Sequence, residues 1–538
     1  MFNIFGIDAL TILIFAPALA ALVVAALPAN KWLARILALT FAVGIGTVAV
    51  VVFFTYQVNA PAINYGFIDT VNNPNWFSTL GASWHLGIDG ISAAMVLLTG
   101  LLTPLAILIS WEVEDRVNMH LALLLFFETG LMGVFLGRDL MVFFLFYELS
   151  LVPMYFIINQ WGGPNRAYAS TKFMIYSIGG TLGMLLATQL IGASVGSFDI
   201  ATIATKWPQF AATQPAFLGI STATVKALAF LGFFVAFGIK VPIWPFHTWL
   251  PDAHGEAPTA GSMLLAGVML KLGAYGFVRL VVPFFPDVWI SNIPLFGVSV
   301  ATGFAFLAML GIVLGALAAY GQNDIKRLVA YSSVNHMGFI ALGIAVMAAS
   351  YGALWKTSQT GIATPADMQS ALFATNGAVI QMFNHGLSSA AMFLLAGGIY
   401  HKTHTRDIRE YGGFWVKAPI FGAIFIFASM SSLGLPGLNG FVGEFMVVRG
   451  AFPVFTVITI ISMLGLLFTG NYILKGIRAV LQGPFNMHWK DYALEIDRRE
   501  MVAIAPLLVL MLVTGLVPNW ILTVINGSVT LMMQRIGG

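Results

Sequence analysis

The 538-residue chain contains no cysteine. Disulfides, thiolate zinc sites, cysteine-ligated iron–sulfur clusters and nucleophilic thiols are therefore excluded. Charge is nearly as scarce, at 9% of residues against about 25% in soluble domains. The 25 Lys and Arg with 22 Asp and Glu cannot cover a soluble body of this size, so a soluble enzyme is excluded too. A net charge of +3 without a basic arm leaves no footprint for nucleic acid. The dinucleotide, phosphate-loop and HExxH zinc motifs are absent, so the sequence shows no cofactor or metal site of its own. Any redox chemistry is expected on another chain.

What the chain has in excess is apolar: 59% hydrophobic residues and a mean hydropathy of +0.89. With about 20 apolar residues per bilayer crossing, the pattern predicts about 14 spans. They fall at 8–27, 34–56, 91–111, 118–137, 139–159, 172–195, 225–247, 260–282, 296–320, 327–349, 371–400, 419–446, 453–479 and 501–527. The first run has no basic segment before it and another apolar run just after it, so it reads as a retained span rather than a cleaved signal peptide. Segments 57–90, 196–222 and 350–370 are rich in Gly, Pro, Asn, Ser and Thr and read as surface loops. The expected fold is an all-α polytopic membrane protein filling residues 1–538 as one domain.

Basic residues give the orientation. Connections after odd-numbered spans hold 16 Lys and Arg, and the opposite side holds 6. Both termini are therefore expected outside the cytoplasm. Two spans contain helix breakers beside a charge: span 7 at Gly238 to Pro245, next to Lys240, and span 12 at Gly434 to Gly440, ahead of Glu444. Broken helices at matching places in two halves point to inverted repeats. The repeats are expected as five helices each, spans 4–8 (118–282) and 9–13 (296–480). Spans 1–3 with a long loop precede them (1–117), and a loop with the last span follows (481–538).

A charge at mid-span costs about 2.5 to 3.5 kcal/mol if uncompensated, so Glu148, Lys240, Lys271 and Glu444 need an explanation. A buried ion pair such as Glu148 with Lys240 would explain them through packing alone; a proton path would explain all four together. Glu128, Lys172, Lys226, Arg279, Arg449, Lys475 and Arg478 lie nearer span ends and fit the packing reading better, with Glu128 the one most open to a function. Histidine suits proton relay because its ordinary pKa is about 6.5. His336 and His385 stand in spans among small polar residues, and His247 flanks the first break. His254, in Asp252-Ala253-His254, reads as part of a loop clasp, and the His-rich segment from His401 to His404 as a solvated face.

The run Lys240-Val241-Pro242-Ile243-Trp244-Pro245-Phe246-His247-Thr248-Trp249-Leu250-Pro251-Asp252-Ala253-His254, followed by Glu256-Ala257-Pro258-Thr259 and Lys271, resembles the signature of the antiporter-like subunits of respiratory complex I. The resemblance runs from about residue 85 to residue 480. Glu444, in the Leu433 to Glu444 motif, makes it most similar to the subunit M (chain 4) family, since sister subunits usually carry a lysine there. The resemblance implies that Glu148 pairs with Lys240, that Lys271 is the central proton carrier and Glu444 the exit-side acid, and that His247, His336 and His385 line a hydrated axis. It also implies NADH:quinone oxidoreductase activity in a larger complex, with NADH, FMN, iron–sulfur clusters and quinone in partner subunits. Sister antiporter-like subunits and lipid would surround this chain in an energy-conserving, bacterial-type plasma membrane. The alternatives are a subunit of a multi-subunit sodium/proton antiporter, a hydrogenase or ferredoxin-dependent relative, and a passive scaffold.

Overall fold

The computed structural model describes residues 3–4, 7–28, 30–77, 79, 81–212, 221–360 and 367–534. Thirteen described helices are long and apolar enough to cross a membrane. In chain order the principal helices are α1 (Ala9–Ala26), α2 (Lys31–Asn59), α3 (Gly90–Ile109), α4 (Val117–Leu136), α5 (Leu140–Trp161), α6 (Arg166–Val195), α7 (Thr222–Lys240) and α8 (Thr259–Phe284). They continue as α9 (Val300–Tyr320), α10 (Ile325–Thr360), α11 (Met368–Thr403), α12 (Pro419–Leu433), α13 (Asn439–Val454), α14 (Thr456–Leu481), α15 (Arg498–Leu516) and α16 (Asn519–Gln534). The expected span 12 is divided between α12 and α13, and the expected last span divides at Pro518 into α15 and α16. The residue before a proline is disfavoured in helical backbone, and Val517 is non-helical accordingly.

Burial sorts the helices into layers. α8 and α11 are buried along their whole apolar windows and α10 nearly so. On α1, α2, α6 and α14, by contrast, Leu22, Val43, Leu186 and Leu467 point outward, as a lipid-facing surface requires. Neighbouring packing joins α9 to α10 and α14, α11 to α10 and α13, and α6 to α7. Some of these contacts leave no room for a side chain. A Cβ on Gly273 of α8 would lie 2.8 Å from the Phe237 carbonyl and 2.9 Å from Lys240 Cβ, and one on Gly377 of α11 would lie 2.6 Å from the Val447 nitrogen of α13.

Two of the expected loops carry structure. Within 57–90, strands Ile68–Phe77 and Ala82–Ile88 form an antiparallel hairpin, with Val71 opposite Leu86 and Asn73 opposite Trp84. The alternation Trp84, Leu86, Ile88 supplies its buried face, and Leu86 and Ile88 are fully buried. Polar Asn and Pro in the partner strand hide that period in the sequence. Within 196–222, Asp199 caps a short helix, Ile200–Lys206. Residues 213–220 and 361–366, in two of the expected loops, lie outside the described residues, and α10 extends to Thr360.

Charge anchors the hairpin. His85 lies 3.3 Å from both Asp69 and Asp199, and Arg138 lies 3.2 Å from Asp69. The Arg138 and Ile200 amides donate to the His85 and Arg138 carbonyls. Burial opposes the imidazolium, but the contacts with Asp199 and Asp69 outweigh it and raise the His85 pKa to about 9. Burial likewise opposes the Asp199 carboxylate, and His85 outweighs it, holding the pKa at about 2. A raised folded pKa stabilises fully below the unfolded value of about 6.5 and is lost as pH rises through the folded value. Amide protection of residues 82–88 should therefore hold to about pH 7 and fall through about pH 9, and His85→Leu should abolish that step in hydrogen exchange. Gly377→Val should push α13 off α11 and cost about 1–3 kcal/mol of stability, read as a lower thermal midpoint.

Candidate functional site

Helix ends and backbone irregularities place the four intramembrane charges. Lys240 is the last residue of α7, which stops where Pro242 and Pro245 forbid further helix. The carbonyls freed there are satisfied locally: Ile243 N donates to Gly238 O at 2.9 Å, and the Trp249 indole to Ile239 O at 2.9 Å. After the turn, a short helix at Trp249–Glu256 returns the chain to α8. Glu444 follows the second break, where Gly434 takes a left-handed backbone (φ +81°) to close α12. Reciprocal amides staple this break to α11: Asn384 Nδ2 donates to Asn439 O at 2.7 Å, and Asn439 Nδ2 to Asn384 O at 3.1 Å.

Lys271 sits between two π-helical turns of α8, Leu265–Met269 and Phe277–Val281. Such turns are rare and gather at functional sites. The Lys271 ammonium donates to the Ala266 carbonyl on its own helix and lies 2.9 Å from His385 Nδ1 on α11. His385 Nε2 is 3.2 Å from Ser333 Oγ, and the His385 and His336 rings stand 5.6 Å apart. His336 Nδ1 then meets Glu444 Oε1 at 2.7 Å. Gln381 Nε2 donates to the same oxygen at 3.1 Å, and Tyr472 OH lies 3.4 Å from His336 Nε2. All of these side chains are buried, so Lys271, His385, His336 and Glu444 form one polar line across α8, α11, α10 and α13.

The Glu148 and Lys240 side chains are arranged differently. They lie on facing helices, which touch where Tyr147 OH donates to Ala236 O at 3.4 Å, yet no ion pair within 4.0 Å joins them. Lys240 Nζ has no hydrogen-bond partner among the described residues and rests 4.8 Å over the Tyr147 ring. Glu148 Oε1 likewise has no hydrogen-bond partner among the described residues. The pair is open, and α7 meets α8 at Gly273 with backbone against backbone.

Other residues singled out from the sequence fall elsewhere. His247 is half-buried in the turn after α7, with its ring 6.3 Å from Tyr331, and no hydrogen bond ties it to the polar line. The clasp expected of Asp252-Ala253-His254 belongs to Asp252 alone: it binds Lys172 of α6 and Arg327 of α10, each at 2.7 Å. His254 points away from it, fully buried and stacked on Phe393, because on a short helix residues two apart face opposite sides. Lys226 and Arg279 are paired with Asp287 and Asp89 respectively. Gln381 and Tyr472 were not singled out from the sequence. Gln381 could have been, since it lies one helical turn before His385 on the same face, whereas no local pattern marks Tyr472.

No group of three metal-ligating side chains that could hold a metal ion occurs among the described residues. The family described as "NADH:quinone oxidoreductase/Mrp antiporter, TM" matches residues 137–373 and 356–469. An NADH-quinone oxidoreductase subunit M of Rhodobacter capsulatus is 37% identical over 98% of this chain and 96% of its own length. A subunit M of Pseudomonas aeruginosa is 40% identical over 86% of this chain and 84% of its own. The fold is shared with a chain of respiratory complex I from Thermus thermophilus, at 24% identity and a TM-score of 0.81 over 98% of this chain and 100% of that one. It is also shared with a chain of the Mrp complex from Dietzia, at 18% identity and a TM-score of 0.77 over 98% of this chain and 99% of that one. On nearly full-length similarity to subunit M, this chain belongs to the NADH-quinone oxidoreductase subunit M family.

Proposed function

We propose that this chain is a proton-translocating membrane subunit of an NADH-quinone oxidoreductase, carrying protons along Glu148, Lys240, Lys271, His385, His336 and Glu444. The observation that supports this best is the buried line from Lys271 to Glu444, with contacts of 2.9 and 2.7 Å at its two ends. Buried lysine, imidazole and carboxylate in contact can exchange a proton without exposing a lone charge to hydrocarbon. Glu148 and Lys240 act as the switch. When they close, the carboxylate holds a proton on Lys240; when they open, that proton is released towards Lys271 and on to Glu444. His247, beside the first break, would adjoin the hydrated part of this axis.

The same reading takes α4–α8 and α9–α14 as inverted repeats, because each contains a break beside a charge, at Lys240 and at Glu444. The Lys- and Arg-rich side faces the cytoplasm and both termini lie on the other side. Moving one charge against 100 mV takes about 2.3 kcal/mol, which a chain without redox groups draws from NADH oxidation and quinone reduction in partner subunits. Sister antiporter-like subunits are the expected neighbours. The antiporter alternative is disfavoured by 37% identity to a subunit M over almost the whole chain.

In the reconstituted complex, Glu148→Gln and Lys271→Ala should each lower proton pumping by about tenfold or more, with quinone reduction measured separately. Stoichiometric pumping in both variants would sink the assignment. Glu444→Gln, which keeps a hydrogen bond to His336 but cannot titrate, should slow pumping while leaving the quantity of assembled complex unchanged on native gels.

A further inference from the structure

Three cations converge where α14 ends on the Lys- and Arg-rich face. Arg409, Lys475 and Arg478 line an open cavity of about 650 Å³ between the ends of α14 and α9 and the segment that follows α11. Its floor is Ile408 and Tyr411, both buried. Backbone contacts fix that floor: Ile408 N donates to Asn323 O at 2.8 Å, and Tyr411 OH donates to Thr405 O at 2.6 Å.

Charge in this cavity is not balanced. Arg409 is paired with Asp407, Nε to Oδ1 at 2.9 Å and Nη2 to Oδ2 at 2.5 Å. Lys475 Nζ donates to the Tyr320 and Gln322 carbonyls, each at 2.7 Å, and lies 5.4 Å over the Tyr320 ring. These partners are neutral, and Arg478 makes no ion pair within 4.0 Å among the described residues. Two positive charges therefore lack a counter-ion. A basic residue that only marks the orientation of a span would extend into water, whereas Lys475 is folded back and held beside the cavity.

The outward face of α14 runs into the same place. Val457, Ile460, Leu464 and Leu467 follow one another at alternating steps of three and four residues, and each is more than half exposed. Asn471, Leu474 and Arg478 continue those steps and line the cavity. Residues so spaced share one helix face. From Leu464 to Leu474 the track is about 15 Å long at about 1.5 Å per residue, which is half of a hydrocarbon core of about 30 Å. An apolar track one leaflet deep thus ends at uncompensated cations.

We propose that this face binds an anionic phospholipid with one phosphate and a glycerol headgroup, of the phosphatidylglycerol type. An acyl chain lies along Leu464 to Leu474, the phosphate meets the Arg478 guanidinium, and Asn471 and Gln482 offer hydrogen bonds to the headgroup hydroxyls. A guanidinium with free donors takes a phosphate bidentately. Lys475 already uses its donors on carbonyls, so it adds positive field rather than a second clamp, and a single phosphate suits a single clamp. A zwitterionic headgroup would bring an ammonium beside two unpaired cations. The site is independent of the proton path.

The test places the whole complex in phosphatidylcholine nanodiscs doped with phosphatidylglycerol, phosphatidylethanolamine or cardiolipin, each with a photoactivatable group in an acyl chain. Cross-links on this chain are mapped by peptide mass spectrometry and counted per assembled complex. Phosphatidylglycerol should label residues 457–478 about fivefold or more above phosphatidylethanolamine, the factor for one basic residue near anionic lipid. Arg478→Gln should remove that excess, and Lys490→Gln, which takes an exposed charge from the same face, should leave it unchanged. Equal labelling by the two lipids in the unaltered complex overturns the site without recourse to any variant. An excess that survives Arg478→Gln, or that falls as far in Lys490→Gln, also overturns it. Stronger labelling by cardiolipin overturns the single-phosphate headgroup, and no labelling along the track means that protein covers it and the proposal fails.

Discussion

The cost of placing a charge in hydrocarbon governs this structure. Lys271 has no solvent exposure and sits halfway along a helix whose apolar window is wholly buried. An ammonium there is tolerable only where other side chains and backbone carbonyls replace water. The π turn that brings Lys271 to the Ala266 carbonyl, and α11, which brings His385 to its other side, supply that replacement. The outer helices with their lipid-facing leucines and valines then keep the hydrocarbon away. Small residues serve the same end, because Gly273 and Gly377 let helices approach closely enough to seal the polar groups between them.

The two halves of the bundle hold their charges in different states. Around Glu444 the polar atoms meet, and the acid accepts from both His336 and Gln381. Around Lys240 they do not: the ammonium lies over the face of Tyr147 and has no hydrogen-bond partner among the described residues. An aromatic face partly satisfies a cation without fixing it in one geometry. A pair that can close or open is what a switch requires, whereas a line of hydrogen-bonded groups with two neighbouring imidazoles at its middle suits transfer. On the proposed function, the contrast divides control from conduction between the two halves.

Much of this could be read from local sequence. Hydrophobicity is a property of short stretches, so the spans, the breaks at Pro242 and Pro436, and the four intramembrane charges all appear there, as does the motif from Lys240 to His254. The hairpin at Ile68–Phe77 and Ala82–Ile88 could not be read, because its first strand is interrupted by Asn and Pro and the register depends on a partner. His254 was misread for a related reason. Its neighbour Asp252 does clasp basic residues, and only the turn of a short helix sends the two side chains to opposite sides.

The sequence by itself determined that this is a membrane protein, about how many times it crosses, and which charges must be explained inside it, since each follows from the free energy of transferring a short segment into lipid. Only the tertiary structure decided which groups touch. Lys271 meets His385 across 114 residues and His336 meets Glu444 across 108, while Glu148 and Lys240 face each other without joining. Those outcomes depend on the ångström-scale fit of helices distant in sequence, at Gly273, at Gly377 and at the π turns around Lys271, which no local pattern of hydrophobicity encodes.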